Sequence, residues 1–118
     1  MDGSLPEIRH VEEICRLLED HKGGAVTALD LRELHSWTDF FIIATVTSSV
    51  HLQGLLRHLR EYAGEQGLAL PRGPRKSEAE SSWSLLDMGT ALIHLMNAQA
   101  REFYELEELW NGAKRIYP

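Results

Sequence analysis

Apolar residues fall along this chain in two rhythms, and the switches between them mark its elements. Ile8, Val11, Cys15 and Leu18 recur at helical spacing, with Glu12, Glu13, Glu19 and Asp20 between them, which predicts an amphipathic first helix. Ser4-Leu-Pro-Glu7 has the S-x-x-E form of a capping box ahead of that stripe, and Gly23-Gly24 is the expected stop. Ala25 to Leu29 reads as a strand ending at Asp30, followed by a short connection from Leu31 to Trp37. Phe40 to Ala44 is an unbroken run of aromatic, β-branched and small apolar residues, the pattern of a strand buried on both faces. With no full crossover helix between them, these two strands are expected to pair antiparallel. Hydroxyls at Thr45, Thr47, Ser48 and Ser49 lead into Leu52, Leu55, Leu56, Leu59 and Tyr62. This is the period of a second helix with a hydroxyl cap, closed by Gly64 and Gly67.

The second half is punctuated more sharply. Leu68 to Leu70 reads as a brief strand stopped by Pro71, and RGPRKSEAESS is a turn-rich loop carrying Arg72, Arg75 and Lys76. Trp83 to Met88 and Ala91 to Met96 are strand-like runs joined by Gly89-Thr90, a link suited to a type II′ hairpin turn. Asn97 is placed to cap a last helix in which Ala100, Phe103, Leu106 and Trp110 share a face, with Gly112 at its end. The order predicts one α/β domain over residues 1–118, a mixed-sheet sandwich without repeats, with 110–118 as a tail.

Composition narrows the class. A hydrophobic fraction of 43% in 118 residues is that of one globular domain. The net charge of −6 argues against a primary nucleic-acid binder and suits a basic protein partner. Cys15 is the single cysteine, so no intrachain disulfide or cysteine zinc cluster can form, and its place on the apolar stripe makes it a packing residue. No apolar run nears the roughly 20 residues of a membrane span. The opening MDGSLPEIRH lacks the basic flank and apolar core of a secretory leader. A soluble, cytoplasmic protein is expected.

Candidate chemistry is sparse. There is no glycine-rich phosphate loop, G-x-S-x-G elbow or H-E-x-x-H. The strand-to-helix junction at Thr45 to Ser49 is a place where anions bind. Val46 occupies the turn where a phosphate site needs glycine, which favours plain capping. Asp30, Asp39 and Asp87 lie near strand ends, so a carboxylate set for Mg²⁺ is conceivable, but each is explained as a turn or cap residue. A small Mg²⁺-dependent nucleotidyltransferase using Asp39 or Asp87 is the alternative enzymatic reading. His51 and His58 are two helical turns apart, roughly 10 Å, too far for one metal, and His94 reads as a structural histidine inside a strand. Trp83, Met88 and Met96 are large apolar residues beside the loop and turn, and core and interface are equally open for them.

Four stretches carry a family resemblance. TDFFIIATVTSSVHLQGL from Thr38, W-S-L-L-D-M-G at Trp83 to Gly89, H-L-M at His94 to Met96 and AREFYELEELW at Ala100 to Trp110 resemble the ribosome silencing factor (RsfS, or Iojap-like) family in order and spacing. The resemblance implies a nucleotidyltransferase-like α/β fold without a catalytic site, no cofactor or metal, and no enzymatic activity. It implies a translational repressor that binds ribosomal protein uL14 on the large subunit and sterically blocks joining of the small subunit. Its partner-binding positions fall on Trp83, Asp87 and Met88. Direct rRNA contact through Arg72, Arg75 and Lys76, and a homodimer of the free protein, are further expectations. Val46 and Thr90 depart from the family's usual glycine and aspartate, the latter removing one negative charge from the hairpin tip.

Overall fold

The computed structural model describes residues 4–34, 39–68, 83–88, 91–104 and 112–117. Helix α1 spans Ser4–Asp20 and buries Val11, Ile14, Cys15 and Leu18, the stripe its sequence predicts. The side chains of residues 4–7, and with them the capping box, lie outside the described residues. Its end differs from the expectation. Lys22, not a glycine, takes the left-handed conformation (φ 72°). The Lys22 N–H donates to the Glu19 carbonyl at 3.0 Å, and the Gly23 N–H to the Leu18 carbonyl at 2.6 Å, the paired bonds of a Schellman stop. Gly23 is needed for space: a Cβ there would lie 2.8 Å from the Leu18 carbonyl oxygen.

Strands β1 (Gly24–Asp30) and β2 (Phe40–Thr45) flank a short 3₁₀ turn at Arg32–Leu34. They pair antiparallel, as expected, from Asp30↔Phe40 to Thr27↔Ile43, with a register shift toward Gly24. Asp30 holds the exit of β1: its carboxylate accepts from the Arg32 guanidinium at 2.8 and 3.0 Å and from the Arg32 backbone N–H. Helix α2 spans Ser49–Gln66 between a Ser48 N-cap and Gly67, which is left-handed (φ 68°). Leu52, Leu55, Leu56, Leu59 and Tyr62 are its buried face. Leu68 is not in a strand; Ala69 and Leu70, the rest of that expected strand, lie outside the described residues.

Strands β3 (Trp83–Asp87) and β4 (Ala91–Met96) form the predicted antiparallel hairpin; its Gly89-Thr90 turn lies outside the described residues. Helix α3 covers Ala98–Tyr104, and the Asn97 Oδ1 accepts from the Ala100 N–H at 2.7 Å, so Asn97 caps it. Leu106 and Trp110 lie outside the described residues. The expected tail is corrected: Lys114–Tyr117 is a strand, β5, paired antiparallel with β1. A lone edge strand of four residues has no periodicity of its own to announce it; the open edge of β1 supplies its hydrogen bonds.

The five strands run β3-β4-β2-β1-β5, with β2 and β4 parallel at the centre and the other pairs antiparallel. One face packs under α1 and α2 through Val26, Ala28, Phe40, Ile42, Leu86 and Ile93. On the opposite phase Leu29, Leu31, Phe41 and Leu92 form a second cluster, and Ile43 and Met96 pack with Ala100 of α3. The architecture is a mixed α/β sandwich, as the sequence predicts. Two glycines test these backbone assignments with opposite signs. Gly54 lies inside α2 with open space for 4 Å around the position a Cβ would take, so Gly54→Ala should raise stability by about 0.5–1 kcal/mol. Gly23→Ala must push the Leu18 carbonyl away and should lower it by about 1 kcal/mol or more. Urea unfolding of both variants checks this; equal shifts would contradict the Schellman geometry at Gly23.

Candidate functional site

The stretch W-S-L-L-D-M is held on the sheet's edge, since β3 pairs only with β4 among the described residues. Its alternation separates two faces. Ser84 and Leu86 point inward and are buried, whereas Leu85 (43% exposed) and Asp87 point out. Trp83 occupies the same strand phase as Leu85 and Asp87, opposite Met96; its side chain lies outside the described residues. Met88, just beyond the strand, is 8% exposed and belongs to the cluster under α1 and α2. Met88 therefore presents little apolar surface in the free chain. Among the described side chains of this segment the exposed apolar one is Leu85. Sequence alone did not single it out, because leucine stands on both phases, at 85 and 86, and alternation does not say which faces water. Arg72, Arg75 and Lys76 lie outside the described residues.

The strand beside β3 is buried along its whole length. His94 of β4, directly across from Leu85, is 3% exposed, and its ring meets Phe41 edge-on with centroids 4.6 Å apart. Burial pulls its pKa down to about 4, so the imidazole is neutral at physiological pH. It is a core residue, as its place in an apolar strand suggested.

The other candidates have structural occupations. At the strand-to-helix junction the Ser48 Oγ accepts from the His51 N–H at 3.0 Å, and Val46 is buried. The hydroxyl caps the helix. The side chain of Asp30 is bound by Arg32, whose hydrogen bonds hold its carboxyl below the usual range. Cys15 is fully buried, and burial with nearby Glu19 and Glu12 pushes its thiol up to about 12, which makes it inert packing. Among the described residues no group of three or more His, Cys, Asp or Glu is arranged to hold a metal ion.

One constellation was not legible in the sequence. His51 accepts the Thr47 N–H on Nδ1 at 3.1 Å, and its Nε2 lies 2.9 Å from the His21 carbonyl oxygen. An amide only donates and a carbonyl only accepts, so Nδ1 is the acceptor and Nε2 the donor of this bridge. This ring ties the end of α1 to the start of α2. Beside it His21 and His58 stack with centroids 3.6 Å apart, around a shallow pocket of about 230 Å³ that Lys22 and Gly54 also line. Residues 21 and 51 meet only because the sheet turns the two helices side by side.

Comparison with known proteins gives a consistent picture. The family model described as "Ribosomal silencing factor during starvation" matches residues 4–117. The ribosomal silencing factor RsfS of Treponema pallidum is 36% identical over 97 residues, 82% of this chain and 86% of that protein. That of Haemophilus influenzae is 34% identical over 100 residues, 85% of this chain and 96% of that protein. A crystal structure of a protein from Chromobacterium violaceum superposes with a TM-score of 0.74 at 29% identity, covering 93% of this chain and 91% of that one. Among the described residues no helix is long and apolar enough to cross a membrane.

The buried histidine beside β3 yields a pH test. His94 has an ordinary pKa of 6.5, held near 4 by burial in the folded chain, so on acidification the unfolded chain takes up this proton first. The contribution is fully present above about pH 6.5 and is lost as pH falls toward 4, by at most about 3 kcal/mol. Urea unfolding at several pH values should show this slope in the natural chain and its reduction in His94→Leu.

Proposed function

This chain belongs to the family of ribosomal silencing factors acting during starvation, matched over residues 4–117, and from that premise we propose how it silences. It is a cytoplasmic repressor without catalytic activity that docks on ribosomal protein uL14 of the large subunit. In that position its bulk excludes the small subunit, and translation falls because subunits do not join. The observation that carries this reading is the outward face of β3, where Leu85 and Asp87 are exposed beside position 83 on a sheet edge.

The physical division of labour follows from that face. Trp83 and Leu85 are the apolar anchors, since desolvated aromatic and aliphatic groups at the centre of a contact carry most of its energy. Asp87 and the net charge of −6 steer the chain toward a basic partner. Met88 contributes from beneath: packed in the core at the end of β3, it holds the strand's end in place. Arg72, Arg75 and Lys76 add a peripheral contact to rRNA.

Sedimentation with isolated large subunits tests the reading. Trp83→Ala and Leu85→Asp should each weaken binding by about 2 kcal/mol or more, roughly thirtyfold, with thermal midpoints nearly unchanged. Met88→Ala should behave differently, costing about 2 kcal/mol or more of folding stability. Undiminished co-sedimentation of both surface variants would remove β3 from the contact. Neutralising Arg72, Arg75 and Lys76 together should flatten the salt dependence of binding; an unchanged slope would remove the rRNA contact.

A further inference from the structure

The two edges of the sheet are built differently. The β5 edge carries exposed Lys114 and Arg115, and its pairing with β1 shifts register between Ala28 and Leu29. Charged side chains and irregular pairing are the usual protection against strand addition. The β3 edge has neither lysine, arginine nor proline, and it pairs with β4 in unbroken register from Trp83↔Met96 to Asp87↔Leu92. Its exposed centre is apolar Leu85.

Hydrogen-bond phase shows which main-chain groups that edge presents. The Met88 N–H donates to the Ala91 carbonyl at 2.9 Å, so residues 88 and 91 form a hydrogen-bonded pair. In an antiparallel ladder such pairs alternate, which makes Leu86↔Ile93 and Ser84↔Leu95 the next ones. The backbone N–H and C=O of residues 83, 85 and 87 therefore turn away from β4, toward the side on which β3 has no strand neighbour among the described residues. The same three positions carry the proposed contact side chains. Main chain and side chains thus offer one line of recognition.

We propose that the ribosomal partner binds by adding an extended, basic segment as a sixth strand on β3, exchanging hydrogen bonds with the N–H and C=O of Leu85. The inference rests on the docking reading above and specifies its mode. Strand addition takes affinity from main-chain bonds and specificity from alternate side chains, which fits an edge only five residues long. The choice of a basic occupant follows from charge: Asp87 is exposed at the strand's end, and the chain carries −6. A second copy would bring like net charges together.

Residue-level hydrogen exchange with isolated large subunits, in samples where sedimentation shows the chain bound, tests the mode. The Leu85 amide should exchange freely in the isolated chain and slow by about tenfold or more when bound. A parallel comparison uses Leu85→Pro, which removes an N–H turned away from β4, and Leu85→Ala, which removes only side chain. The proline variant should bind about tenfold more weakly than the alanine variant. Bound chain with unchanged Leu85 exchange overturns strand addition while leaving the docking reading intact, and so do equal losses in the two variants. Absence of binding by the natural chain overturns both. Protection of Leu85 at high chain concentration without subunits, with a dimer's mass, assigns the edge to a second copy and overturns the proposed occupant. If Leu85→Pro does not fold, the exchange result on the natural chain decides alone.

Discussion

The six-residue parallel pairing of β2 with β4 is the constraint from which the rest of the molecule follows. From Phe40 to Ala44 β2 is buried on both faces, and β4 is buried along its whole length. Two such strands need cover above and below, and neither can slip without moving apolar surface from one layer to the other. Apolarity on both faces means that their own pattern does not choose the register. The ends do so: Ser48 caps α2 three residues past the end of β2, and the Val46 N–H donates to the Met96 carbonyl at 2.8 Å. The cap and this bond lock the strand ends together.

That centre sends the less apolar strands outward. β1 and β5 lie to one side, and β5 is fastened by the Tyr117 hydroxyl donating to Glu19 of α1. β3 lies on the other side and keeps only one neighbour among the described residues. The edge with lysine and arginine is guarded against strand addition. The edge without them carries the stretch that resembles the family's contact motif. Protection at one edge and its lack at the other set the two sides of the sheet apart, and the proposed docking uses the unprotected one.

The helical layer is joined by polar contacts set into apolar packing. Tyr62 of α2 donates to Glu13 of α1 at 2.5 Å while His10 approaches its hydroxyl at 2.9 Å, and burial with the Glu13 bond pushes the Tyr62 phenol above its ordinary value. At the opposite end His51 bridges the two helices. On the other face of the sheet Arg101 of α3 donates to Thr45 at 3.1 Å and Thr27 at 3.2 Å. Each of these links joins elements far apart in the chain, so each reports the assembled layers.

What the sequence determined by itself is the set of elements whose periodicity is strong. The helix stripes of Val11 to Leu18 and Leu52 to Tyr62, the unbroken run of β2, the hairpin and the Asn97 cap are local patterns, because backbone geometry converts side-chain spacing directly into a face. The family membership was legible for a related reason, since its motifs are contiguous. Two matters belonged to the tertiary structure alone. β5 forms because β1 has an open edge, not because Lys-Arg-Ile-Tyr announces a strand. And of the neighbouring leucines in W-S-L-L-D, Leu85 faces water while Leu86 and the following Met88 are buried, because pairing with β4 and cover from α1 and α2 choose the phase of a strand that is apolar on both.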